Sequence, residues 1–364
     1  MTERRNFLVR AGGAVAAAAV MAAVDAPNVI AQPKIKWRMP TTWTPALDVL
    51  QGSGLRLAKI VDETTGGRFQ IEVSSAGQIM PPLECFDAAA KGTIDGFMAS
   101  TVHWPAKDPA LVWFCTVPFG LNPEGMSAWF YQGDGLKLWE EAYAGYGLVP
   151  RPGPAVAPQM AGWFRKKING IGDFKGLKMR IPGLGGKVIA KAGATVVLIP
   201  GGEIYGALER GAIDASEFVG PHDDMKLGLH NTARYYYYPG WHEPGAMTEF
   251  TFNKKAYDKL PVELRHVLDY AVSAVALYGT TEYEARNAVA LERLRSEYKG
   301  KVEILQLPAA VLKDLKKSAA EVVRDEAQKS AMAKKVYASF SRFQTQIAGW
   351  HEISESAFHQ HVAA

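Results

Sequence analysis

Cysteine is scarce in this chain: Cys85 and Cys115 are the only two among 364 residues. Their spacing matches no zinc motif, which removes a structural cysteine–zinc site. Each sits in an apolar setting, which favours buried free thiols, while an oxidising compartment would permit a bond between them. Long apolar runs are also missing. The stretch from Ala11 to Val24 contains only Ala, Gly, Val and Met, too short and too weakly apolar for a bilayer span of ~20 residues. No later stretch does better. Charge of one sign is absent too: 41 basic and 37 acidic residues leave +4, so no electrostatic case for nucleic acid arises. Among enzyme motifs, neither G-x-S-x-G nor H-E-x-x-H occurs. Gly183-Leu184-Gly185-Gly186-Lys187 looks like a phosphate loop, but the spacing is wrong and Val188 stands where Ser or Thr is needed. These absences weaken an enzymatic reading.

What is present begins with an address. Arg4 and Arg5, the apolar pair Phe7-Leu8, the short apolar stretch and the small-residue end at Val29-Ile30-Ala31 read as a cleavable export signal over residues 1–31. The adjacent arginines point to the twin-arginine route. Cleavage leaves about 333 residues, enough for two packed domains. A hydrophobic content of 48% with nine tryptophans predicts a well-buried core.

Periodicity gives an α/β order. Strands are predicted over residues 35–39 and 69–73, helices over 48–63 and 83–91, and extended chain over 93–100. Such alternation argues for largely parallel pairing. One internal echo stands out. Residues 85–96 (CFDAAAKGTIDG) resemble residues 204–215 (IYGALERGAIDA), offset by 119 residues. Both read as a helix closed by a basic residue and a left-handed Gly, followed by an Ile-Asp step into a strand. The echo predicts two similarly built lobes, and a cleft between lobes is a natural ligand site. A long helix is predicted over residues 261–298, a short strand over 302–307 and a helical region over 309–364. The apolar stripe Phe340, Phe343, Ile347, Trp350, Ile353 either packs on its own protein or forms a dimer contact.

The densest chemistry lies between Gln159 and Asn253. Residues 176–182 read as a short strand in which Lys178 and Arg180 share a face. Arg180 has the planar fork that binds carboxylates bidentately; a surface ion pair is the equal alternative. Glu217 and Phe218 follow the strand end of the second echo copy. Asp214 matches Asp95 in the first copy, so both have a structural role. Tyr235 to Tyr238, with Trp241, either build a core or wall a small ligand, with Glu243 pointing in. His222-Asp223-Asp224 could hold a metal or act as a base; such clusters more often cap a helix, here from about Met225.

Several stretches together resemble the periplasmic substrate-binding proteins of TRAP transporters, in particular the branch that binds 2-oxo acids. They include Phe69-Gln70-Ile71 with Ser75-Ala76-Gly77, Lys107-Asp108-Pro109, Gln159 to Arg165, Gly176 to Arg180, Ala212 to Ala215 and Tyr235 to Trp241. The resemblance implies an α/β, two-lobe periplasmic binding protein fold with an interlobe cleft, a long lobe-spanning helix and a C-terminal helical segment. Lobe I would comprise residues 32–155 and lobe II residues 156–244, each with part of 245–305. Arg180 would grip the carboxylate. A cation, sodium or calcium, would be held by Gln159, Glu217, Glu243 and the carbonyl of Phe218, with Gln159 also near the ligand. Trp43, Trp104 and Trp241 would size the tail. Phe218 and His242 stand where related sequences carry Trp, and His222 where they carry Tyr.

Charge bookkeeping agrees with a cation. Arg180, Glu217, Glu243 and a bound monocarboxylate sum to −2, which a closed cleft cannot bury cheaply. Calcium would neutralise this sum, whereas the ligand set implied by the resemblance suits sodium. The expectation is a periplasmic, non-enzymatic receptor. It would capture a 2-oxo or 2-hydroxy monocarboxylate, such as pyruvate or a longer 2-oxo acid, and pass it to a TRAP membrane permease. A homodimer through residues 309–364 is implied. A metal-dependent enzyme acting on a carboxylic acid, or a sensory binding module, are the alternatives.

Overall fold

Alternation along Ile35-Lys36-Trp37-Arg38-Met39 sends Trp37 and Met39 inward and the two basic residues outward, which fixes the first strand. A computed structural model describes residues 34–156 and 158–362; the export segment expected over residues 1–31 lies outside the described residues. The strands are β1 (Ile35–Pro40), β2 (Phe69–Ser74), β3 (Gly96–Ala99), β4 (Leu148–Ala155), β5 (Gly162–Phe164) and β6 (Lys178–Arg180). They continue with β7 (Thr195–Val197), β8 (Ala215–Ser216), β9 (Tyr235–Tyr238), β10 (Met247–Asn253) and β11 (Glu303–Gln306). One group pairs β1 with β2 and orders β3-β10-β4, the two parts being linked by a bridge from Thr41 to Met98. The other is a six-stranded sheet, β11-β9-β5-β8-β6-β7.

The pairing is mixed rather than largely parallel. β1–β2, β9–β11, β6–β7 and β6–β8 run parallel, but β10 lies antiparallel to β3 and β4, and β5 antiparallel to β8 and β9. Every antiparallel contact involves β5 or β10. These are the strands entered when the chain crosses from the first group to the second after β4, and back again after β9. Both lie inside their sheets, β10 between β3 and β4 and β5 between β9 and β8.

The echo is a true structural repeat. The helices Cys85–Ala90 and Ile204–Glu209 each end at a glycine with positive φ, Gly92 at 74° and Gly211 at 70°. Asp95 Oδ2 accepts the Arg38 N–H at 2.8 Å, tying β1, and Asp214 Oδ2 accepts the Lys178 N–H at 3.0 Å, tying β6. The two aspartates pin equivalent strands, the structural role expected of them.

The long helix runs over Val262–Glu297, and its buried residues Leu264, Leu268, Ala271, Val272, Val275, Gly279 and Tyr283 form one stripe. It touches both halves of the repeat. Arg56 reaches Glu282 at 3.3 Å on one side, and Tyr283 donates to Asp223 Oδ2 at 2.6 Å on the other. His222, Asp223 and Asp224 do not precede a helix; they lie inside one, Pro221–Lys226, because Pro221 suits a first helical position. Asp224 takes hydrogen bonds from Trp163 Nε1, the Tyr236 hydroxyl and the Val219 N–H. Burial pushes both Asp223 and Asp224 up to about 7. Tyr236 stacks on Trp163 with centroids 4.0 Å apart, so the tyrosine run builds core. Cys85 and Cys115 are buried free thiols. In the C-terminal region Phe340 is buried edge-on against Trp129, whereas Trp350 and Ile353 are 63% and 72% exposed.

Gly279 marks the point where the long helix crosses β4. A Cβ there would lie 2.6 Å from Pro154 Cγ and 3.0 Å from Ser53 Oγ. Alanine is better than glycine inside a helix by about 1 kcal/mol, but overpacking against a strand proline costs about 1–3 kcal/mol. Gly279→Ala is therefore expected to lower the melting temperature by a few degrees; calorimetry showing an unchanged or higher midpoint would mean that Pro154 yields.

Candidate functional site

Parallel register places Arg180 beside Ser216, so the residue after β8, Glu217, lies next to the arginine at the ends of adjacent strands. Lys178, on the same alternation face, is exposed, but Arg180 is 4% and Glu217 0% exposed. The surface ion pair is thereby replaced by a buried one. Arg180 Nη1 donates to Glu217 Oε1 at 2.5 Å and to the Glu217 carbonyl at 3.0 Å, and Nε donates to the Ile199 carbonyl at 3.3 Å. Among the hydrogen bonds of the described residues none uses Nη2. The second oxygen of Glu217 lies 3.2 Å from His242 Nε2, a buried contact that the sequence did not announce.

Gln159 and Glu243 come from the two chain crossings, Gln159 between β4 and β5 and Glu243 between β9 and β10. The crossings touch backbone to backbone. A Cβ on Gly240 would overlap the Gln159 carbonyl at 2.0 Å, so only glycine allows the approach. Gln159 Nε2 donates to Glu243 Oε2 at 2.7 Å, which orients the amide and leaves Gln159 Oε1 and Glu243 Oε1 buried without partners. Burial first, and then the charge of Glu217, push the Glu243 carboxyl well above the usual range, while Arg180 and Gln159 act in the opposite sense.

These groups line a cavity of about 50 Å³, together with Trp43, Ser100, Val102, His103, Cys115 and Phe218. At roughly 10–15 Å³ per water, this is space for a molecule of only a few heavy atoms. Trp43, Gln159, Arg180, Phe218 and Glu243 are thus brought together, with Glu217 behind Arg180. Trp104 and Trp241 do not line the cavity. Trp104 packs on Phe86 and Phe97 and donates to Glu249 Oε1 at 2.7 Å. Trp241 stacks on Phe119, with His242 at its edge. Sequence reasoning missed His103, Cys115 and Ser100. The echo held the signal, because the stretch after Asp95 corresponds to the stretch after Asp214 that carries Glu217.

Two buried oxygens with no hydrogen-bond donor, beside two carboxylates and one guanidinium, form a hard-oxygen donor set that fits sodium or calcium and not a soft transition metal. A second grouping, Asp48, His222 and Asp223, fits less well. His222 Nε2 lies 2.7 Å from Asp48 Oδ1, and Arg286 and Lys226 already hold the other oxygen of Asp48.

The chain is similar to known proteins along most of its length. The family bacterial extracellular solute-binding protein, family 7 (DctP), matches residues 41–330. The monocarboxylate 2-oxoacid-binding periplasmic protein all3028 of Nostoc sp. (strain PCC 7120 / SAG 25.82 / UTEX 2576) is 38% identical over 359 residues, 98% of this chain and 98% of that protein. A TRAP periplasmic solute-binding protein from Pseudoalteromonas atlantica T6c, solved with bound sodium and pyruvate, is 38% identical with a TM-score of 0.88, covering 90% of this chain and 99% of its own. Another from Bordetella bronchiseptica RB50 is a mixed-occupancy dimer in which calcium and picolinate co-purified. It is 35% identical with a TM-score of 0.88, covering 90% of this chain and 97% of its own. Matched in sequence and fold over most of its length, the chain belongs to the DctP family of bacterial extracellular solute-binding proteins, two-lobed TRAP-type receptors that bind their solutes and are not enzymes.

Proposed function

We propose that this receptor captures a small 2-oxo or 2-hydroxy monocarboxylate in the periplasm, after twin-arginine export, and passes it to the membrane permease of a TRAP transporter. Residues 32–155 and 156–244, each with part of 245–305, serve as the lobes. The long helix within 261–298 connects them. The observation that carries the ligand class is the pairing of a buried Arg180 with two unpartnered oxygens, Gln159 Oε1 and Glu243 Oε1, in one small cavity. The free edge of the Arg180 fork takes the carboxylate. Gln159, Glu217, Glu243 and the Phe218 carbonyl hold a sodium or calcium ion, which supplies the positive charge that the carboxylates and the acid require. Burial raises the Glu243 carboxyl, and a cation against it acts in the opposite sense, as Arg180 already does. Trp43 and the small residues of the opposite wall limit the tail, which favours acids of pyruvate size. The 2-oxoacid-binding relative and the pyruvate-bound neighbour support this choice.

Calorimetric titration with pyruvate in sodium- or calcium-containing buffer should give one-to-one binding. Arg180→Ala is expected to weaken it at least about 100-fold, roughly 3 kcal/mol, since a charge-assisted contact disappears. Retention within about tenfold would sink the role given to Arg180. Removing the ion tests the other half of the clamp. After chelation and exchange into choline buffer, affinity should fall about tenfold or more, and re-adding sodium or calcium separately should identify the ion by which one restores it. Affinity indifferent to both ions would reject the cation.

The exposed Trp350, Ile353 and Phe358 on the C-terminal helices, 52–72% exposed, support a homodimer through residues 309–364. Sedimentation velocity at micromolar concentration should show a dimer, and Ile353→Asp should shift it to monomer; a monomeric wild type removes this assignment.

A further inference from the structure

A second cluster of metal-ligating side chains lies outside the ligand cavity. Asp48 stands between β1 and the helix Leu50–Thr64, and His222 and Asp223 stand on the helix Pro221–Lys226 that follows β8. One oxygen of each aspartate and one nitrogen of the histidine ring all lie within 4.8 Å of one another. His222 Nε2 is 2.7 Å from Asp48 Oδ1. Asp223 is fully buried. Its Oδ2 accepts the Tyr283 hydroxyl at 2.6 Å, and its Oδ1 has no hydrogen-bond partner among the described residues. A buried polar atom left without a partner costs about 1–3 kcal/mol, so an ion seated beside Oδ1 removes a standing penalty.

The donors sort by softness. An imidazole nitrogen makes this cluster a poorer seat for sodium or calcium than the oxygen set of the cavity. It makes a better one for a borderline ion such as zinc, which takes histidine and aspartate together. Four-coordinate zinc, with bonds of about 2.0–2.2 Å, sets its ligands roughly 3.3 Å apart, so the Asp48–His222 contact opens only slightly. The Asp48 side chain is partly exposed, which gives an ion its way in and a water its place as fourth ligand. The neighbouring cations do not occupy the ligating oxygen. Arg286 Nη1 at 2.9 Å and Lys226 Nζ at 3.4 Å hold Asp48 Oδ2, leaving Oδ1 to His222. Arg286 is itself paired with Glu282 at 2.5 Å, and the exposed Lys226 head can turn into water. A carboxylate gripped from behind presents its other oxygen in a fixed direction, as ligating carboxylates around bound metals do.

We propose that Asp48, His222 and Asp223 form a second metal site, for a divalent ion of the zinc class, that clips two walls of the ligand cavity together. Trp43 and Leu50, on either side of Asp48 in the chain, line one wall; Phe218 and Val219, shortly before His222, line the other. An ion shared by Asp48 and the helix Pro221–Lys226 ties these walls to each other, and release of a bound acid slows. The slowing rests on the reading of the cavity as an acid site; the binding of the ion does not.

The test uses the full mature protein, stripped of metal and then kept in saturating sodium or calcium so that the cavity set is filled. Calorimetric titration with zinc should show one site with a Kd of about 1 μM or tighter. His222→Phe and Asp48→Asn should each weaken zinc at least about 100-fold, whereas Glu243→Gln should leave it within about threefold. Zinc should raise the melting temperature of the wild type and of neither His222→Phe nor Asp48→Asn, a readout that also shows whether these variants fold. In the wild type, the His222 ring nitrogen signal should move on zinc addition. Preloaded pyruvate should leave the wild type at least about fivefold more slowly with zinc than without it, and leave His222→Phe at one rate in both. No zinc uptake below about 100 μM, uptake that survives in both His222→Phe and Asp48→Asn, or uptake lost in Glu243→Gln overturns the site. Zinc bound with pyruvate release unchanged overturns the clip. Wild type that binds no 2-oxo acid defeats the acid-site reading, and the zinc titrations still decide the metal site.

Discussion

The buried pair of Arg180 and Glu217 sets the terms for everything around it. Two ions removed from water cost several kcal/mol each unless their remaining hydrogen-bonding capacity is met, and breaking such a pair costs about 3–5 kcal/mol. Here the cost is offset locally. Arg180 is shared among the carboxylate and carbonyl of Glu217 and the carbonyl of Ile199, and Glu217 turns its other oxygen to His242. Parallel pairing of β6 and β8 makes this possible, because it brings both strand ends to the same edge in register. The arginine is thus oriented before any solute arrives, and preorganised donors lose little on binding.

The second constraint is the pair of chain crossings. Gln159 lies on the segment from β4 to β5 and Glu243 on the segment from β9 to β10, where the chain passes between the two groups of strands. Gly240 lets those segments touch. The two unpartnered oxygens proposed to hold an ion, Gln159 Oε1 and Glu243 Oε1, therefore sit on the crossings themselves. The long helix ties the two groups of strands together elsewhere, through Arg56–Glu282 on one side and Tyr283–Asp223 on the other. Buried carboxylates at Asp223, Asp224 and Glu249 look expensive, but each accepts a hydrogen bond from Tyr, Thr or Trp, which meets the demand for a partner while adding no second charge.

Receptor function follows from what the cavity contains and from what it lacks room for. It offers one fork, two free oxygens and one neutral imidazole within a volume suited to a few heavy atoms. Both carboxylates are committed to charge balance, and His103 is held neutral against Arg180. This set of groups fits the acid-binding role proposed above.

The sequence by itself determined the local elements, because these depend on residues a few positions apart. The alternation at residues 35–39, the stripe of the long helix and the doubled helix–Gly–Ile-Asp unit were all legible, and the left-handed Gly92 and Gly211 follow from the need for a residue without a Cβ. Whether Arg180 was a surface charge or a buried grip could not be read there. Lys178 shares its alternation and is exposed; the difference comes from Glu217, 37 positions away, lying beside it in the sheet. Likewise the antiparallel pairing of β5 and β10 and the withdrawal of Trp104 and Trp241 from the cavity depend on how distant segments cross. His103 and His242 were invisible as site residues for the same reason. A lone histidine acquires its role only when the fold decides which charge faces it, and that is a property of tertiary structure.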